Sequence, residues 1–366
     1  MVLRPRGRGR VGHRRHPFDG PRIRTSDPGA VVRSPAPATA YDDGAWCVRA
    51  PVRGHATAGS ASDAGAGRAT IRGMTRSGIV TVVGKPNAGK STLLNRLVGQ
   101  KLSITSPKPQ TTRDRVVGIL TTDAAQLVLF DTPGLLNPKY ALQSAMRGAA
   151  LEALRDADVV LYLVDAAEGA PIPLADAAGL SAEPRAPILL VLNKADLLGV
   201  AQRADLAARF PDAHLVSAVT GEGVATLLAA VVGRLPESPF LYDAEDVSTQ
   251  SMRFFASELV REAALEQLED EVPYSVACEI EEFREDRTPL YIRAVVHVER
   301  ESQKRILIGA KGARIRELGR AARIKLEALT GVPVYLDLWV KVLPNWRRKP
   351  AIMERFGYRL AQEDRQ

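Results

Sequence analysis

The sequence predicts an α/β domain built on a mostly parallel sheet with helices on both faces, followed by a smaller α+β domain and preceded by an extension without a core. Three observations carry this. Short apolar runs at 79–83, 127–130, 159–164, 188–192 and 214–216 alternate with helical stretches at 90–99, 142–155 and 223–234, the pattern of successive βαβ units. From about residue 249 the order changes to a helix (251–268), two strands (274–283 and 290–299), two helices meeting at 309–312, and a last strand (334–342). Residues 1–73, by contrast, are rich in Arg, Pro, Gly and Ala, follow neither period 2 nor period 3.6, and hold few large aliphatics. Such a segment cannot offset its ordering entropy, so disorder is expected there.

Length and charge agree with this division. A chain of 366 residues is long enough for two domains of ordinary size. The formal charge is +8, yet residues 1–73 alone hold thirteen Arg, no Lys and five Asp, and the remainder is balanced at 37 basic and 37 acidic residues. Affinity for nucleic acid therefore has to come from a local patch. Cys47 and Cys278 lie far apart without CxxC spacing, which argues against a disulfide framework or a zinc site and fits a reducing cytosol. No run approaches eighteen apolar residues and no apolar signal segment opens the chain, so a soluble protein is expected. Met74 stands just before the first strand, and the extension reads as the product of an upstream start codon. Its rivals are a basic RNA-binding arm and an organelle transit peptide. Domain boundaries are expected at 74–236 and 249–366, with Pro236, Pro239 and the acidic stretch 243–246 marking a linker over 237–248.

Gly84, Lys85, Pro86, Asn87, Ala88, Gly89, Lys90 and Ser91 form GxxxxGK[ST] directly after an apolar run and before a helical one. The glycines let backbone N–H groups turn inward around phosphates, and the helix N-terminus adds its partial positive charge. Lys90 should reach the β- and γ-phosphates, and Ser91 should bind Mg²⁺. Asp131, Thr132, Pro133 and Gly134 follow the run 127–130, placing a carboxylate at a strand end where it can hold Mg²⁺ through water and a backbone N–H where it can meet a γ-phosphate. Asn193, Lys194, Ala195 and Asp196 cap the run 188–192. Asp196 can accept from both the ring N–H and the exocyclic amine of guanine, a pattern adenine lacks. Ser217 and Ala218 close the next strand and would offer a backbone N–H to the guanine oxygen. One such motif is weak, but four in this order, each at a strand's carboxyl end, define a P-loop GTPase fold binding GTP or GDP with Mg²⁺.

Between the first two motifs, the polar stretch 103–115 with Gln110, Thr111, Thr112 and Arg113 is the natural switch I, and Thr112 is the expected third metal ligand. Ras-like switches carry a glutamine after the DxxG glycine to orient the attacking water. Leu135 stands there, so intrinsic hydrolysis should be slow. Asn87, with the Thr-Thr-Arg run, resembles cation-dependent GTPases, in which such an asparagine coordinates K⁺ near the β- and γ-phosphates. The catalytic set is thus read as Lys90, Thr112, Gly134 and Asn87.

In the second domain Gly309, Ala310, Lys311 and Gly312 form a GxxG turn between two helices, with Lys304, Arg305 and Arg314 around it and apolar residues beneath. Residues 303–349 carry twelve Lys and Arg against three acids, a counter-ion surface for phosphates. The turn and the element order are those of a type II KH domain, whose groove takes about four nucleotides.

The chain from about 78 to 358 resembles the Era family of ribosome-assembly GTPases. The carrying segments are GKPNAGKSTLLNRLVGQKLSITSPKPQTTRDR, DTPGL, NKAD, VPYSVACEIEEF, RILIGAKGARIRELGRAAR and LDLWVKVLPNW. The resemblance implies GTP hydrolysis, binding of the 3′ end of small-subunit (16S) rRNA through the KH turn 309–312 with Ile308 and Ile315 as its apolar support, and help in maturing the 30S subunit by a monomer. It implies a cytoplasmic location, with peripheral contact to the cell membrane also attributed to the family. A membrane-linked switch, or a GTPase driving RNA modification, is the alternative. Trp339 and Trp346 are expected in the core and at the groove edge.

Overall fold

The computed structural model describes residues 75–360 together with the backbone of Val48 and Arg49. The expectation for residues 1–73 otherwise lies outside the described residues. Strand β1 (Val48–Arg49) pairs antiparallel with β8 (Asp246–Ser248).

The six-stranded sheet is built from β2 (Arg76–Gly84), β3 (Val116–Thr121), β4 (Ala125–Asp131), β5 (Val159–Asp165), β6 (Ile188–Asn193) and β7 (His214–Leu215) in the order β3-β4-β2-β5-β6-β7. Every pairing is parallel except that of β3 with β4. Helices α1 (Lys90–Val98), α2 (Ala141–Asp156), α3 (Leu174–Ala178), α4 (Val200–Arg209) and α5 (Val224–Val232) connect the strands. Alternate residues of the central strands serve opposite faces. Val80, Val82, Leu161 and Leu163 pack with Leu93, Leu94 and Leu227, while Val83, Val160 and Tyr162 pack with Ala150 and Leu154. Strand β4 is buried along its whole length, which is why it reads as a continuous apolar run.

Two elements depart from the periodicity. Strand β3 is not among the expected runs. It returns through a tight turn, Thr122 N–H to Ala125 O at 2.8 Å, with no intervening helix, so the strand–helix alternation does not look for it. The strand expected at 274–283 begins only at β9 (Ala277–Arg284), because Val272–Ser275 is a one-turn helix, α7, with Pro273 in its first turn. Proline brings no ladder donor and a helical φ, so it favours that position.

The segment 237–248 is fastened along the edge of the first domain. The Ser77 hydroxyl donates to Pro239 O at 2.6 Å, Thr75 to Ser238 O at 3.0 Å, and Gln126 Oε1 accepts the N–H groups of Leu241 and Tyr242 at 2.7 and 2.9 Å. Beyond it come α6 (Met252–Gln267), α7, β9, β10 (Leu290–Val298), α8 (Glu301–Ile308), α9 (Ala313–Thr330) and β11 (Val334–Val342). Strand β10 lies between antiparallel β9 and parallel β11. Val260, Ala264, Val296, Leu307 and Leu318 fill the space between this sheet and its helices. The chain then closes with α10 (Pro350–Arg355). Trp346 is wholly buried there, packing with Met353 and Leu360 against Leu142 and Met146 of α2. Trp339 is half exposed.

Candidate functional site

The loop from the end of β2 into α1 owes its shape to residues in the left-handed region, Asn87 at φ 63° and Gly89 at φ 98°. A Cβ on Gly89 would sit 2.2 Å from Asn193 Nδ2, so glycine is required by conformation and by space. Lys90 is buried, with Nζ donating to Gly84 O at 3.1 Å and Lys85 O at 2.8 Å. Burial lowers its ammonium pKa to about 8, against the opposing pull of the Asp131 charge.

The three expected metal ligands come together. The Ser91 hydroxyl donates to Asp131 Oδ2 at 2.7 Å, Thr112 Oγ1 donates to the same oxygen at 3.1 Å, and the two hydroxyls are 3.1 Å apart. Asp131 is fully buried, burial pushes its carboxyl pKa up, and its Oδ1 has no hydrogen-bond partner among the described residues. An orphaned buried carboxylate oxygen beside two hydroxyls is an all-oxygen donor set that fits Mg²⁺.

At the next motif, Thr132 donates to Val82 O at 2.8 Å. A Cβ on Gly134 would lie 2.7 Å from Pro86 N, so the DxxG turn closes directly on the phosphate loop. Leu135 N–H donates to Gly84 O at 3.0 Å, and its side chain is buried in the cluster holding Val83 and Tyr162. Asn87 Nδ2 donates to Pro107 O at 2.9 Å, joining the phosphate loop to switch I.

Asn193 acts as a brace. Its Nδ2 donates to Ala88 O at 2.8 Å and its Oδ1 accepts the Ala218 N–H at 3.0 Å. The Ala218 amide, expected to meet the guanine oxygen, is thus shared with Asn193 in this structure. Ala195 N–H donates to Val216 O at 3.0 Å, Lys194 pairs with Asp165 at 2.6 Å, and Ser217 Oγ accepts the Thr220 N–H at 3.1 Å. Asp196 is exposed at the open end. Arg96 of α1 donates to Ala218 O at 3.1 Å and to Val219 O, steadying that loop.

In the second domain α8 ends at Gly309, and Gly309, Lys311 and Gly312 all take positive φ, at 71°, 50° and 74°. A Cβ on Gly309 would meet Arg314 Cβ at 2.8 Å, so only glycine lets the turn fold this tightly. Arg305, Ala310, Lys311 and Arg314 are exposed and Lys304 is half-buried. The apolar anchors are Leu307 and Leu318, both fully buried, whereas Ile308 and Ile315 are half-buried.

Comparison with known proteins follows the same two parts. Residues 79–194 match the 50S ribosome-binding GTPase family and residues 271–347 the KH domain family. Over 293 residues the chain is 41% identical to GTPase Era of Carboxydothermus hydrogenoformans, covering 77% of this chain and 98% of that one. The chain belongs to the Era family of GTPases. GTPase Era of Geobacter metallireducens is likewise 41% identical over 291 residues, covering 77% of this chain and 98% of the relative. Two solved Era structures, each 39% identical, match with TM-score 0.73 over 78% of this chain and 100% of theirs. One holds MgGDPNP and nucleotides 1506–1542 of 16S ribosomal RNA, and the other is an Aquifex aeolicus Era variant bound to GDP·AlF₄⁻.

One group of residues in this Era-family chain escaped the sequence reading. Switch I lies against the second domain: Arg113 donates to Val276 O at 2.6 Å and Tyr274 O at 3.1 Å, Lys108 to Leu265 O and Leu268 O, and Arg261 to Thr111 O. No spacing signal could have found them, because the partners lie about 150 or more positions apart in the chain.

Proposed function

We propose that this GTPase binds the single-stranded 3′ end of 16S rRNA through its KH turn under control of bound nucleotide, and so aids assembly of the 30S subunit. The observation that carries this reading is the match, over 78% of this chain and 100% of the other, to an Era structure holding both MgGDPNP and that RNA. The exposed cations beside a strained GxxG turn in this chain supply the surface the RNA would need. The RNA backbone would cross Gly309, Ala310, Lys311 and Gly312, with Lys304, Arg305 and Arg314 facing phosphates.

In the GTPase domain, backbone N–H groups of 84–91 would cradle the phosphates, and Lys90 would exchange its two carbonyl partners for phosphate oxygens. Ser91 and Thr112 would hold Mg²⁺ directly and Asp131 through water. Held there, Mg²⁺ would supply positive charge to offset that of the phosphates. The Gly134 N–H would meet the γ-phosphate, and Asp196 would read the guanine edge. Leu135 leaves the attacking water without a side-chain partner at that position, so slow intrinsic hydrolysis is expected. Asn87, whose Nδ2 donates to the Pro107 carbonyl, would offer its side-chain oxygen to a K⁺ ion acting in place of an arginine finger.

The protein is read as a cytoplasmic monomer. No helix among the described residues is long and apolar enough to cross a membrane. The test is binding of a labelled oligonucleotide with the 16S 3′-end sequence to the chain and to Gly312→Asp. Loss in the variant with GTP binding intact supports the reading. Equal binding by both would remove the KH turn from it.

A further inference from the structure

Helix α6 presents Glu258, Arg261, Glu262 and Leu265 at spacings of three and four residues, one stripe of a helix. That stripe carries three of the second domain's hydrogen bonds to switch I, at Arg261, Glu262 and Leu265. Glu262 stands out within it. It is 0% exposed, yet it is ionisable and is surrounded by cations from two domains. Its Oε2 accepts from Lys101 Nζ at 2.8 Å, just ahead of switch I, and from Lys325 Nζ at 2.7 Å, on α9. Its Oε1 accepts the Thr105 N–H, inside switch I, at 3.3 Å. Helix α9 begins at Ala313, immediately after the GxxG turn. One buried carboxylate therefore joins the nucleotide-sensing segment to the helix that carries the RNA-facing turn.

The preceding residue on α6 completes the path. Arg261 is held by Glu258 and donates to Thr111 O. Thr111 precedes the threonine whose hydroxyl sits on Asp131 and Ser91. A cation taking those hydroxyls as ligands would compete with the direct Thr112 to Asp131 contact, and any shift of Thr112 would be felt at the neighbouring Thr111 carbonyl and so at Arg261. Glu262 lies in the same helical turn. Because a buried carboxylate is costly without its partners, Glu262 holds both lysines or must be repositioned with one of them; it cannot stay in place unpaired.

We infer that Glu262 is the positioning residue through which switch I sets the placement of α9 and the GxxG turn. This rests on the proposed RNA-binding role only for its consequence, since the joint itself lies within the protein. Nucleotide state would be transmitted by a shared ion pair across the domain interface, independently of the chain connection at 237–248.

The test uses the full chain and two variants, Glu262→Gln, which keeps shape and removes charge, and Lys101→Gln, whose half-exposed side chain puts folding at little risk. Amide exchange is followed over 305–316 with a GTP analogue and with GDP, alongside affinity for the 16S 3′-end oligonucleotide. Wild type should show an exchange difference of at least threefold between nucleotides. Both variants should reduce it to less than 1.5-fold, with nucleotide affinity within twofold of wild type. A difference that persists in both variants, or is absent in wild type, overturns the inference whatever the RNA does. An exchange difference in wild type without RNA binding leaves the joint standing and removes only the RNA reading.

Discussion

Replacing Lys90 with methionine should stabilise the nucleotide-free protein while abolishing nucleotide binding. The lysine is buried beside a phosphate loop that offers it only two carbonyl oxygens, and its pKa falls from 10.5 to about 8. At 1.36 kcal/mol per unit this corresponds to about 3 kcal/mol by which folding disfavours the charged form. Methionine has similar volume and no charge to desolvate. Its introduction leaves no acceptor orphaned, because Gly84 O still receives the Leu135 N–H and Lys85 O the Ala88 N–H. Buried Asp131 loses a neighbouring cation, which returns part of the gain, so a net stabilisation of about 2 kcal/mol is expected at pH 7. The pH dependence supplies an internal check. Below pH 8 the wild-type ammonium is charged in both states and the full cost is present. Between about 8 and 10.5 the unfolded chain binds more protons than the folded one, so wild-type stability rises with pH, and this contribution should be missing in Lys90→Met. Urea denaturation of nucleotide-free protein at pH 7, 8, 9 and 10 measures both effects. A GTP analogue at about a hundred times its Kd should add about 2.7 kcal/mol to wild type and nothing to the variant. A variant less stable than wild type at pH 7, with the same slope above pH 8, would refute the reasoning.

Other residues give further expectations. Asp196→Asn removes a charged acceptor of two guanine donors and should weaken GDP binding about a hundredfold or more, while improving binding of xanthine nucleotides relative to guanine ones in a competition assay. Gly89→Ala pushes a Cβ into Asn193 Nδ2 and strains φ, so the brace from Ala88 to Ala218 is displaced and GDP affinity by calorimetry should fall at least tenfold. GTP hydrolysis should rise severalfold when K⁺ replaces Na⁺ at equal ionic strength, and Asn87→Ala should erase that difference; equal rates in the two salts would exclude a cation role for Asn87.

Function was legible where chemistry is carried by contiguous residues. The phosphate loop, DTPG, NKAD and the GxxG turn are each a single chain segment at a strand or helix end, so residue type and neighbourhood together disclose them. Strand β3 was hidden because it follows a polar switch and pairs antiparallel, outside the alternation of strand and helix that marks the other five. The helical turn at Val272–Ser275 was hidden because its residues are as apolar as the strand that follows, and only Pro273 hints at the break. Least legible were groups whose meaning is tertiary. Asn193 looks like a base-binding residue and acts as a brace between two loops, and the place of the Leu135 side chain in the core shows only in the fold. Glu262 looks like an ordinary helix-surface acid. Nothing in the local pattern says that Lys101 and Lys325, more than two hundred residues apart, meet on one buried carboxylate.

The central claim is a nucleotide-governed RNA reader, and equilibrium binding of the labelled 16S 3′-end oligonucleotide tests it most directly, with a GTP analogue, with GDP and with no nucleotide, each over a series of salt concentrations. Binding should be tightest with the GTP analogue and weaker in the other two states, with affinity falling steadily as salt rises. Binding of equal strength in all three states, or none in any, would contradict it.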